Sequence, residues 1–297
     1  MPDAMAASAL LQVLASGLLM GLIYGMIAVG LSLVFGLMDI VNFAHGEFMM
    51  LAMYATFGCF AFFRIDPVLA LPLVAALMFV FGAGVYGGVV RHALRVKVNA
   101  GMVQIFATFG LATFIQGAAQ FFFSPDYRTI GDQGWLGGRT LALGGLFLPW
   151  PQLFGAAVSL LAFGGLFLTM KYTDFGRALE ATREDQGAVA LVGIDSHRVF
   201  ALGWGLGAAL VGVAGAVLST FYYIHPQVGA AFATVAYITV ALGGFGSVFG
   251  AFAAGIVVGL VEAVTAVVLP PAMKSAGIYL LYLVVIFLRP QGLFGRL

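Results

Sequence analysis

Six apolar stretches dominate the chain, near residues 9–37, 46–63, 67–90, 101–122, 149–170 and 199–224, and the only charged residue within them is Glu47. Each is about as long as a helix that crosses a hydrocarbon core, which takes roughly 20 apolar residues. In lipid the backbone must satisfy its own hydrogen bonds, so only helices and closed barrels can span it. These stretches are far longer than barrel strands and do not alternate with period two, which leaves helices. Composition agrees: the chain is 62% hydrophobic and 8% charged, against about 25% charged in soluble domains. A net charge of +1 makes no case for nucleic acid. The lone Cys59 excludes an internal disulfide and reads as packing filler. The start, MPDAMAASALL, lacks a basic n-region, so the first stretch is expected to be retained.

The last third is less regular. Residues 231–268 are too many for one span and are interrupted by GGFGS at 243–247. This predicts two short helices joined by a glycine turn, followed by a final span near 276–288. The first stretch, 29 residues long, fits one long helix or two short ones. The expected fold is all-α and polytopic, a single membrane domain over 1–297. We expect eight to ten spans, with broken helices at both ends of the chain.

Lysine and arginine in short loops orient such a chain, since they collect on the cytoplasmic side. Arg91, Arg95 and Lys97 form one group, Lys171, Arg177, Arg183 and Arg198 a second, and Arg289 and Arg296 close the chain. Treating 231–268 as a hairpin puts all three groups, and the C-terminus, on the cytoplasmic face of an inner membrane. The stretch 123–148 is then the main outer loop, a cap with turns rather than a domain. Gly17, Gly21 and Gly25, and again Gly246, Gly250 and Ala254, follow small-xxx-small spacing, which suits close helix packing in lipid. A glycine-lined binding site is the alternative.

Polar groups at membrane depth are expensive and so mark function by default. Asn42, His45 and Glu47, after Asp39, admit two readings. They belong to a broken helix that opens polar groups to a translocation path, as do Gly243, Gly244 and Gly246. Alternatively they form a cytoplasmic turn, with Asn42 capping the next helix and Glu47 in its first turn. His45 and Glu47, at i and i+2, do not converge on a metal from one helix face. Glu262, inside an apolar run, is expected to hydrogen-bond to a neighbouring helix. No Gly-Lys dipeptide occurs, so the chain has no P-loop and must take energy from elsewhere. No metal spacing or serine–histidine pairing points to an enzyme.

One polar island, Lys171 to Arg198, holds 9 of the chain's 25 charged residues. Asp174 is placed to cap a helix from Phe175, and Gly193 to end it, with Asp195 or Ser196 capping the next span. Gly187 weakens the middle, so two short helices fit as well. Ala178 and Ala181 offer small surface, while Arg177, Glu180, Arg183 and Asp185 offer charge. This suits docking onto a cytosolic partner better than rest in anionic headgroups, which the acids would oppose.

Four stretches carry a family resemblance: NFAHGE (42–47), FGRALEATREDQGAVALVGIDSHRVFAL (175–202), LGGFGSVFGA (242–251) and RPQGLFGR (289–296). Together, and in this order over nearly the whole chain, they resemble the membrane permeases of high-affinity branched-chain amino acid ABC transporters, of the LivH type. The resemblance implies a second related permease, two cytosolic ATPases that carry ATP and Mg, and a periplasmic substrate-binding protein. It also implies that Gly176, Arg177, Glu180, Ala181 and Gly193 belong to the segment that couples to an ATPase. The chain departs from the family at RHALRVKVNAG (91–101), which lacks the expected Tyr-Arg-Pro-Leu-Arg. Relatives of this group carry urea, short amides or aromatic acids, so the cargo stays open. A stand-alone transporter driven by Na⁺ or H⁺ through Glu47 or Glu262 is the rival reading.

Overall fold

The computed structural model describes residues 2–96 and 100–295; Lys97 and Arg296, used above for orientation, lie outside the described residues. A helix α1 (Pro2–Met38) is followed by α2 (His45–Phe63) and α3 (Pro67–Val85), which passes through a π-helical turn (Tyr86–Val90) into the short α4 (Arg91–Ala93). Then come α5 (Ala100–Phe123), a hairpin of β1 (Thr140–Leu143) and β2 (Leu146–Pro149), and α6 (Trp150–Tyr172). The polar island forms α7 (Asp174–Glu184) and α8 (Gln186–Leu191), and the chain ends with α9 (Ser196–Leu218), α10 (Val228–Gly243), α11 (Val248–Val268) and α12 (Ala276–Leu288).

Among the described residues seven helices are long and apolar enough to cross a membrane, and α10 and α12 are shorter apolar helices. The polytopic helical fold is as expected. The C-terminal break is present, with Gly244 and Gly246 at φ +95° and +77° between α10 and α11. These dihedrals suit glycine and stop a helix. The N-terminal break is absent: α1 is continuous, because no proline interrupts it after Pro2 and its glycines are used for contact instead.

That contact organises the bundle. From Gly21 to Val34 every residue of α1 is buried, and α1 packs antiparallel against α11. A Cβ on Gly21 would lie 2.8 Å from the Cα of Ile256, and one on Gly259 would lie 2.4 Å from the Cα of Gly21. Lipid offers no hydrophobic drive for helix association, so backbone approach of this kind carries the packing. The α11 side of the contact is made by Gly255 and Gly259 rather than by the expected 246/250/254 step; Gly250 packs on Gly243 instead.

The segment 123–148 forms turns and a hairpin at one end of the bundle. Its hairpin turns at Gly144 and Gly145 and pairs Thr140 with Pro149. The Gln12 side chain ties it to α1, exchanging two 2.8 Å hydrogen bonds with the backbone of Phe147. Asp66 caps α3 and accepts a second bond from the backbone N–H of Trp135, at 2.7 Å. One end of the bundle therefore carries the hairpin, and the other carries Met38 and the polar island.

Filling the α1–α11 contact should be costly. We expect Gly259→Leu to destabilise the purified protein by about 1–3 kcal/mol or more. Gly164→Leu, at a glycine with open space around it, should leave thermal stability in detergent within about 0.5 kcal/mol.

Candidate functional site

α2 does not start where α1 ends. The Nε2 of His45 donates to the carbonyl of Ile27 at 2.9 Å, and Ile27 lies 11 residues before Met38. At 1.5 Å per residue that is about 16 Å inside the bundle. Residues 39–44 thus run back along α1, and α2 begins at mid-depth. α10 begins at the same place: a Cβ on Gly46 would stand 2.2 Å from the carbonyl oxygen of Gly229. From this junction the two helices leave in opposite directions, α2 toward the hairpin end and the shorter α10 toward the Met38 end.

The junction is polar and closed. Asn42, His45 and Glu47 are 1%, 1% and 6% exposed, so this stretch is enclosed by the bundle rather than turned to water. Asn42 does not cap α2; its Oδ1 accepts from the N–H of Ala44, the residue that precedes the helix. Its carbonyl accepts from the hydroxyl of Tyr237 at 3.1 Å, which ties α10 to the returning chain. Glu47 does lie in the first turn of α2. Its Oε2 has no hydrogen-bond partner and stands 3.0 Å from where a Cβ on Gly229 would be. Neither α2 nor α10 has a side-chain cap at its start.

Gly243, Gly244 and Gly246 are not brought to this junction. They lie at the far end of α10, which is 16 residues long, or about 24 Å. Gly243 packs against Gly250, and Gly244 against the backbone of Gly295. The C-terminal segment closes over the turn, with the N–H of Leu293 donating to the carbonyl of Leu242 at 2.7 Å. Gly246 meets Gly36 and the guanidinium of Arg183, whose Nη2 lies 3.0 Å from a Cβ position on it. The polar island therefore touches the break between α10 and α11 directly.

The island is two helices. Thr173, not Asp174, caps α7, accepting from the N–H of Gly176 at 3.2 Å. Asp174 instead pairs with Arg177. The break falls at Asp185 rather than Gly187, because the Asp185 carboxylate accepts from the N–H groups of Gly187 and Ala188 and so starts α8. Gly193 turns the chain at φ +83°, and Asp195 caps α9. Gly176, Leu179 and Thr182 face inward, Ala178 and Ala181 are half-buried, and Arg177, Glu180 and Arg183 are exposed. Leu191 and Val192, 89% and 75% exposed, extend this surface with apolar anchors that the sequence reading passed over. Their signal was two large apolar residues closing a charged, water-facing segment just before a glycine.

Glu262 is hydrogen-bonded to a neighbouring helix, as expected: the Tyr24 hydroxyl donates to it at 2.7 Å, and Lys274 pairs with its other oxygen at 3.3 Å. Burial opposes the charge of Lys274, but Tyr222 and Glu262 outweigh it and raise its pKa. Among the described residues no group of three or more His, Cys, Asp or Glu could hold a metal ion. A cavity of about 210 Å³ lies between α6 and α9, lined by Leu166, Leu206, Leu210 and other small or apolar groups, away from the polar junction.

Over residues 13–287 the chain matches the family described as branched-chain amino acid transport system / permease component. It is 30% identical to the high-affinity branched-chain amino acid transport system permease protein LivH of Escherichia coli (strain K12), with 96% of each chain covered. Identity to the corresponding permease protein BraD of Pseudomonas aeruginosa is also 30%, again over 96% of each chain. A probable branched-chain amino acid transport permease protein LivH of Methanocaldococcus jannaschii is 27% identical, over 80% of this chain and 75% of its own length. No solved structure matches significantly.

Removing the α8 cap isolates one local contribution. Asp185→Ala should cost about 1 kcal/mol and speed amide hydrogen exchange at residues 186–191, leaving α1 and α11 protected.

Proposed function

Because the chain belongs to the family of branched-chain amino acid transport system permease components, we propose that it forms half of the translocation path of an ATP-driven importer for branched-chain amino acids. It is a permease subunit of an ABC importer, not an enzyme, and it works with separate ATPase and binding-protein components. That membership displaces the stand-alone ion-coupled transporter. In the assembly we propose, a second related permease supplies the other half of the path. Two cytosolic subunits bind ATP and Mg, and a loaded periplasmic binding protein docks over the hairpin and the 123–148 cap.

The observation that carries this reading is the position of α10. One end meets Arg183 of α7 through Gly246, and the other meets α2 at the Gly46–Gly229 crossing. A force on the polar island thus has a short physical route to the middle of the bilayer. Arg91, Lys171, Arg177, Arg183, Arg198 and Arg289 favour the cytoplasmic side for the island and for the C-terminus. α7 and α8 are the coupling element: Arg177, Glu180, Arg183 and Asp185 set register in an ATPase cleft. Gly176, Ala178, Ala181 and Gly193 shape the fit, and Leu191 and Val192 anchor it. When the ATPases close, α7 shifts as a rigid body and carries the α10–α11 turn with it. Asn42, His45 and Glu47 line the gate, while Gly243, Gly244 and Gly246 form the hinge that moves it. With so little charge in the spans, the path suits a small molecule with an apolar side chain.

In proteoliposomes holding the full transporter and its binding protein, Arg177→Leu combined with Glu180→Leu should lower leucine import at least tenfold. The membrane subunits should still purify together. Undiminished import by this double variant would remove α7 from the coupling role.

A further inference from the structure

We propose that Glu47 binds the ammonium group of the transported amino acid at mid-bilayer, with the open N-termini of α2 and α10 receiving its carboxylate. This rests on the amino-acid importer reading above.

Three observations converge. First, a carboxylate as buried as Glu47, with an unpartnered Oε2, is costly unless a cation or hydrogen-bond donor completes it. No resident group does so: the ion pairs among the described residues are Arg177–Asp174, Arg198–Asp195 and Lys274–Glu262. The nearest basic side chain in sequence, His45, spends its Nε2 on Ile27. Second, α2 and α10 start without side-chain caps, as α6 and α12 also do, but here the two uncapped ends are buried and meet each other. The first N–H groups, of His45 and Val228, are bonded to the carbonyls of Asn42 and His225, and the remainder of each first turn presents partial positive charge, a receptor for a carboxylate. Third, glycine at both crossing positions, Gly46 and Gly229, lets the two helix starts touch, so both first turns and the Glu47 carboxylate meet at one point.

A zwitterion satisfies both halves at once. Its ammonium pairs with Glu47, and its carboxylate lies on the helix ends. A purely anionic ligand would leave Glu47 uncompensated, and a neutral one would leave the helix ends open. The two backbones touch in this structure, so the ligand enters only when α10 withdraws from α2. Occupancy is thereby tied to the movement that begins at Arg183.

The test uses the complete transporter in proteoliposomes. Import of leucine, isoleucine or valine by the wild type is the reference; its absence would overturn the importer reading and not the subsite. Given that import, Glu47→Gln should lower it about tenfold or more, the loss of one charge-assisted hydrogen bond. Glu47→Asp should keep a substantial share. A Glu47 that only packs, protonated, is replaced by Gln without consequence, so wild-type import by Glu47→Gln would overturn the proposal. If the variant does not assemble, a cryo-EM structure of the wild-type complex with leucine decides. The amino nitrogen is expected within hydrogen-bonding distance of Glu47, and its placement elsewhere in the path would overturn the assignment.

Discussion

A backbone buried among other helices must satisfy its own N–H and C=O groups, and a helix that begins inside the bundle leaves its first turn without intrahelical partners. Here two helices do so at one place. α2 and α10 both start at the Gly46–Gly229 crossing, and the exposed groups are tolerable only because α1, α9 and the returning segment 39–44 bury them. Much of the remaining architecture serves that burial. α1 is buried from Gly21 to Val34, the stretch that carries the carbonyl holding His45. α11 lies close against α1 through Gly255 and Gly259 because no bulkier pair allows that approach.

The same constraint joins structure to function. A junction of two helix starts can open by moving one of them, without melting a continuous span. Glycine turns bound the far end of α10, and the C-terminal segment is hydrogen-bonded to it there, so a movement of that turn would carry both. Arg183 places the water-facing island on the turn. The chain holds no nucleotide motif, and it needs none if its moving part ends where a separate ATPase docks.

The spans were legible because the bilayer dictates their length and excludes charge from them. The break at 243–247 was legible because GGFGS interrupts an apolar run. Asp195 as a cap followed from local chemistry. Asp185 did not, since Gly187 drew attention to propensity while the carboxylate two residues earlier decided where α8 starts. The continuity of α1 was not legible, because a 29-residue apolar run fits one helix or two; its glycines read as contact positions, and they meet α11. The junction was only half legible. NFAHGE stood out as polar groups near lipid, but the position that faces it, Gly229, lies in an unremarkable apolar stretch distant in sequence.

The central claim is that α10 moves relative to α2 when the ATPases close. Double electron–electron resonance tests it most directly in the assembled transporter. In a Cys59→Ser background, spin labels are placed at Phe62→Cys on α2 and Ala231→Cys on α10, both exposed positions. The account predicts that the distance distribution shifts between the nucleotide-free and ATP–vanadate states. An unchanged distribution, in a complex that still hydrolyses ATP, would contradict it.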